Sequence, residues 1–133
     1  MSPAERFVER FENEWRQLDP ARFVEALYHP DATLRQPGME RPIGRDEMVA
    51  HAARLQALLP DIRLSVLGWA ARDDLLLIEW RIRATLGGEP LEWEGVDRFV
   101  LRGDRAIDEV VYFDRLPLWA RLGAGIDARY PGT

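Results

Sequence analysis

The sequence predicts an α+β domain: a cone-shaped, curved antiparallel sheet covered on one face by three N-terminal helices. Three observations carry that prediction. Apolar residues recur at helical spacing through the first 59 residues, interrupted by one short β-like segment. From Ile62 onward they alternate at a period of two, with turn residues between the runs. Helices followed by a strand meander lead to a layer design with helices on one side of an antiparallel sheet.

Ser2-Pro3-Ala4-Glu5 is a helix start, with a serine cap, proline at the first helical position and glutamate three residues on. Phe7, Val8, Phe11, Trp15 and Leu18 then give about four turns of amphipathic helix. Asp19-Pro20 restarts the pattern, with Phe23, Val24, Leu27 and Tyr28 on one face and Pro30 as its stop. Ala32 to Gln36 is a short strand and Pro37 to Pro42 a loop. A third helix over roughly 45–59 turns Met48, Val49, Ala52, Leu55 and Leu59 inward, with His51 at the edge of that arc.

The strands follow. Ile62, Leu64 and Val66 alternate up to Gly68-Trp69. Residues 75–86 and 91–101 are joined through Gly87-Gly88-Glu89-Pro90, and 93–101 and 106–114 through Gly103-Asp104. Pairing Leu86 with Leu91 places Arg83 opposite Glu94, Glu79 opposite Arg98 and Trp80 opposite Asp97. Pairing Leu101 with Ala106 places Arg98 opposite Glu109 and Val96 opposite Val111. Opposite-charge pairs favour both registers. They assign Trp80, Trp93, Gly95, Asp97, Phe99 and Tyr112 to the inner face, with Asp114 further along it. Glu79, Arg81, Arg83, Glu94 and Arg98 fall on the outer face. Pro117 to Leu122 adds a helical turn closed by Gly123, and the tail 123–133 is expected to be loosely held.

Composition narrows the function. One domain spans 1–133, with its core at about 5–122, and 47% hydrophobic residues suffice for a sizeable interior. A net charge of −5 argues against nucleic-acid or anionic-membrane surfaces. There is no cysteine, and two histidines without paired spacing do not make a zinc site. Neither a signal peptide nor a long apolar run stands out, so a cytoplasmic location is the default expectation.

Asp97 is the residue that this pattern singles out. A mid-strand aspartate facing an apolar, aromatic wall is costly unless paired or protonated, and such sites shift pKa values most. It is the candidate acid or oxyanion donor, with His51, which titrates near neutrality, or Asp114 as base. Tyr28 and Tyr112 would orient a ligand, while Trp80, Trp93 and Phe99 would form its apolar wall.

Three segments resemble a known family: HPDATLRQPG at 29–38, PIGRDEM at 42–48 and GVDRFVLRGDRAIDEVVYFD at 95–114. In this order they resemble the nuclear-transport-factor-2-like superfamily, especially its SnoaL-like and ketosteroid-isomerase-like members. The resemblance implies a cone pocket and proton-transfer chemistry of the isomerase, cyclase or dehydratase type on a hydrophobic carbonyl compound, without metal or organic cofactor. It places Asp97 at the position of the isomerases' protonated aspartate, Gln36 at that of their general base, and Glu12 near that of their hydrogen-bonding tyrosine. Asp114 is similar in position to the terminal-strand acid of SnoaL-like cyclases. The Arg-x-Asp pair of limonene epoxide hydrolases reads Arg81-Ile82-Arg83 here. A homodimer through the outer sheet face is expected. The alternatives are a non-catalytic binder of a hydrophobic small molecule, which Gln36 favours, or a scaffold dimer with a filled core.

Overall fold

The computed structural model describes residues 1–122, so the expected tail at 123–133 lies outside the described residues. Helices α1 (Pro3–Arg16) and α2 (Pro20–Leu27) lead into strand β1 (Tyr28–Arg35). The two-residue β2 (Ile43–Gly44) precedes helix α3 (Arg45–Leu58). Then come β3 (Arg63–Arg72), β4 (Leu75–Leu86), β5 (Glu89–Arg102), β6 (Arg105–Phe113) and a short α4 (Leu116–Leu122).

The helix starts form as their sequences dictate. The Ser2 hydroxyl accepts from the Glu5 N–H at 3.1 Å, and the Asp19 carboxylate accepts from the Arg22 N–H at 3.3 Å. Helix α2 does not run on to Pro30. It ends at Leu27, and Pro30 lies inside β1 at the irregular stretch between Tyr28 and Thr33, where a missing N–H is tolerated.

The six strands are ordered β2-β1-β6-β5-β4-β3. The sheet is curved but mixed rather than wholly antiparallel, because β1 runs parallel to β6. Local periodicity carries no information about which distant strand an early one will join, so only the closed fold decides this pairing. Helix α1 packs on α2 and β3, while α3 packs on β1, so the helices cover the inner sheet face. At the closed end Phe99 is fully buried against Phe7 and Phe11, with ring centroids 4.8 and 5.8 Å away.

Both hairpin registers differ from expectation, with opposite consequences. Between β4 and β5 the turn is just Gly87-Gly88, with φ of 59° and 80°, the left-handed pair of a tight two-residue hairpin. Leu86 therefore pairs with Glu89 rather than Leu91, and the ladder moves by two residues. An even slip keeps every face. Ile78, Trp80, Ile82, Trp93 and Asp97 point inward as expected, while Arg81 faces Glu94 and Arg83 faces Glu92 outside.

Between β5 and β6 the slip is odd. Leu101 pairs with Ala106, but Val100 pairs with Asp108, leaving Ile107 as an extra residue. This bulge turns the rest of β6 over. Glu109, Val111 and Phe113 face the helices, whereas Tyr112 is 55% exposed on the outer face. Arg98 is opposite Val110, not Glu109, and donates to the Asp108 carboxylate at 2.6 Å.

Candidate active site

A cavity of about 90 Å³ lies between the sheet and the helices, room for on the order of six to nine water-sized groups. Phe11, Trp15 and Leu18 of α1, Phe23 and Val24 of α2, and Met48, His51 and Leu55 of α3 form its helical wall. Trp80, Ile82, Trp93, Val111 and Phe113 form the sheet wall. The polar groups on this apolar surface are few, as in most small-molecule sites: Tyr28, Gln36, His51, Asp97 and Glu109, with the Trp15 and Trp80 indoles.

Asp97 and Glu109 form the electrostatic centre. They are only 5% and 4% exposed and lie on the diagonal of the β5–β6 ladder, Asp97 being paired with Val111 and Glu109 with Phe99. Their carboxyls are hydrogen-bonded to one another. The Tyr28 hydroxyl donates to Glu109 from β1, and Trp80 hydrogen-bonds to Asp97 from β4. A chain of four side chains from four strands results.

Burial disfavours both carboxylates, but the two are not equivalent. Burial raises Asp97 to about 6, against the opposing pull of the bonds from Glu109 and Trp80, which support its charge. Glu109 is raised well above the ordinary range by burial and by the neighbouring Asp97 charge, which outweigh the bond from Tyr28. Tyr28 is itself raised by burial and the two carboxyls and remains a neutral donor. Both carboxyls are thus raised, and Glu109, pushed up by burial and by the neighbouring Asp97 charge together, is the one that favours the proton. Asp97, read from the sequence as the candidate acid, is raised by burial in the direction that its apolar surroundings dictate.

Gly95 has a specific task here. A Cβ on it would lie 2.7 Å from the Trp80 indole and 2.6 Å from the Tyr112 carbonyl oxygen. The bare backbone lets the Trp80 ring lie across β5, within reach of Asp97. The close approach at this glycine is made by the protein's own indole.

Of the candidates read from the sequence, Tyr28, Gln36, His51, Trp80, Trp93 and Asp97 line the cavity together. Three do not. Phe99 is core, enclosed by Phe7 and Phe11. Tyr112 is turned outward by the bulge. Asp114 is exposed and accepts from the Leu116 N–H at 3.0 Å, capping α4. Sequence reasoning missed Glu109, which looked like the outer partner of Arg98, and Trp15, which looked like core. Val110-Val111, two β-branched neighbours that cannot both follow one alternation, was the faint trace of the bulge. Among the described residues no group of three or more histidine, aspartate or glutamate side chains is arranged to hold a metal ion.

The SnoaL-like domain model matches residues 5–109, most of the chain. The protein belongs to the SnoaL-like family. No curated protein matches the chain. Solved SnoaL-like and related structures share its fold at low identity. AclR from Streptomyces galilaeus, a candidate hydroxylase, superposes with a TM-score of 0.79 at 20% identity, over 95% of this chain and 85% of that one. IdmH from Streptomyces antibioticus, a candidate polyketide cyclase, gives 0.78 at 20% identity over 93% and 100%. A candidate polyketide cyclase from Acidithiobacillus ferrooxidans gives 0.76 at 19% identity over 91% and 94%. The fold is that of the SnoaL-like polyketide cyclases and ketosteroid-isomerase-like proteins, a scaffold for small-molecule sites.

Proposed function

We propose that this SnoaL-like domain is an enzyme that moves a proton next to the carbonyl of a neutral, mostly apolar compound, in an isomerisation, aldol-type cyclisation or dehydration. The observation that carries this reading is the hydrogen-bonded carboxyl pair at the wall of an apolar cavity. A base with a pKa near 6 is mostly ionised at neutral pH yet still basic enough to accept a carbon-bound proton. Asp97 takes that proton. Glu109 and Trp80 hold Asp97 through hydrogen bonds, and Tyr28 anchors Glu109 from behind. His51, which lines the cavity from α3, would serve the developing oxyanion or return the proton. The residues act without a metal or organic cofactor in this scheme. The domain acts as a homodimer joined through the outer face, where Leu77 and Tyr112 are exposed apolar side chains.

Gln36 is a specific argument for the second reading, a binding protein. The resemblance to the ketosteroid isomerases puts it at the position of their base, and an amide takes no proton at neutral pH. Deuterium exchange at the α-carbon of 1-tetralone in D2O, followed by proton NMR, separates the two. An enzyme accelerates the exchange and loses that acceleration in Asp97→Asn. A binder perturbs the ketone's resonances without catalysing exchange.

A further inference from the structure

The cavity is walled by aromatic rings that meet at its two carboxyls. Phe11, Trp15, Phe23 and Tyr28 form a continuous run, with successive ring centroids 6.4, 5.4 and 6.3 Å apart. The run ends where the Tyr28 hydroxyl donates to Glu109. From the sheet, Trp80 stands 6.4 Å from the Phe113 ring and hydrogen-bonds to Asp97. What this wall lacks is a cation. Among the described residues lining it none is arginine or lysine, although the chain carries 18 arginines. The side chains acting on Asp97 are Glu109 and Trp80, and those acting on Glu109 are Asp97, Tyr28 and Asp108. Negative charge on the pair is opposed by none of them. A site for a neutral apolar ligand accounts for the rings, but not for two carboxyls set among them without a counter-ion.

We propose that this cavity also binds a small N-methylated ammonium ion, seated against the aromatic rings beside the Asp97–Glu109 pair, in competition with the ketone. The proposal goes beyond the carbonyl reading: it uses the same space but not its chemistry. Aromatic faces carry the negative part of the ring quadrupole and attract a cation, most strongly where water is excluded. A carboxylate nearby adds its charge in a medium that screens little. The hydrogen bonds decide the class of cation. Both carboxyls are already engaged with each other, with Tyr28 and with Trp80. A primary ammonium would therefore bury its N–H donors with few acceptors left. Methyl groups need no acceptor and are buried as apolar surface. A trimethylammonium group also suits a cavity of about 90 Å³.

Choline and its neutral isostere 3,3-dimethylbutan-1-ol share a shape and differ in charge. The affinities of both, and of ethanolamine, are measured by NMR titration at pH 8. Wild type is expected to favour choline over the alcohol by roughly ten-fold or more, and to favour it over ethanolamine. Choline should displace 1-tetralone, and the assigned Trp80 indole N–H resonance should shift as it binds. The charge of choline is fixed, so lowering the pH to 5 titrates only the protein. The preference should then largely vanish as Asp97, raised to about 6, takes up its proton. Protonation of His51, which lines the same cavity, would act in the same direction. Asp97→Asn separates the two, since it keeps His51: its preference for choline should be near unity at both pH values. If that variant does not fold, the wild-type affinity ratios and the Trp80 shift decide the matter. Absence of choline binding, equal affinity for choline and either comparison compound, or an unchanged preference in Asp97→Asn would overturn the proposal. So would choline binding that leaves the Trp80 resonance in place. Catalysed ketone exchange alongside such a result keeps the carbonyl reading. Choline binding as expected, with no ketone bound or exchanged, sinks that reading and leaves the ammonium site standing.

Discussion

Asp97 and Glu109 reach each other across the diagonal of two neighbouring strands, each from a position that alternation alone would treat differently. Asp97 follows the pleat of β5; Glu109 is brought inward by the extra residue Ile107 in β6. Burial raises both carboxyls; the bonds from Glu109 and Trp80 restrain Asp97, while the neighbouring Asp97 charge pushes Glu109 further up.

Asymmetric consequences for catalysis are expected. Asp97→Asn removes the base, and the rate of proton abstraction should fall about 10²-fold or more. Glu109→Gln keeps a neutral group able to donate to Asp97 and to accept from Tyr28, so the loss should stay under roughly ten-fold. Single-turnover or α-deuteration rates of both variants on the same ketone measure this. A larger loss in Glu109→Gln than in Asp97→Asn would place the base on Glu109.

Stability should depend on pH through the same pair. Asp97 rises from an ordinary 3.8 to about 6 on folding, so the native state holds its proton more tightly than the unfolded chain. The sign is therefore opposite to that of a salt-bridged carboxylate. This contribution is fully present below about pH 4 and is lost as pH rises through about 6, on the order of 3 kcal/mol in all. Glu109, also raised, extends the loss to higher pH. Urea unfolding at pH 5 and pH 8 should show Asp97→Asn gaining on wild type at the higher pH. A wild-type stability that instead rises across this window through the pair would contradict the assignment.

Gly95→Ala should be costly although it adds one methyl group. That methyl meets both the Trp80 ring and the Tyr112 carbonyl, and the indole must leave its place over β5. Destabilisation of about 1–3 kcal/mol is expected from overpacking. Losing the Trp80 bond to Asp97 should also move the acidic limb of the pH–rate profile to higher pH. Thermal unfolding together with that profile checks both, and a changed stability with an unchanged profile would make Gly95 purely a packing residue.

Tyr112→Ser offers a contrast. The side chain stands on the outer face, remote from the cavity, so ketone affinity should not change. Sedimentation should show weaker self-association if that face joins two copies.

Helix positions, caps and the inner or outer facing of β4 and β5 were legible in the sequence, because each depends on residues close together in the chain. Ser2 and Asp19 cap where they should, and Asp97 lies inward among tryptophans whichever even register is chosen. From that one buried acid and its aromatic surroundings, a site at the helix–sheet interface followed. The tertiary structure decided what depends on counting residues between strands and on partners distant in the chain. The Gly87-Gly88 turn set the β4–β5 ladder by two residues and changed little. The bulge at Ile107 set the β5–β6 ladder by one, which exchanged Tyr112 for Glu109 on the inner face. The parallel docking of β1 on β6 then delivered Tyr28 to Glu109, 81 residues along the chain. No local pattern encodes that meeting. It arises because the bulge turns Glu109 inward and because two buried carboxyls become tolerable only when a phenol and an indole converge on them.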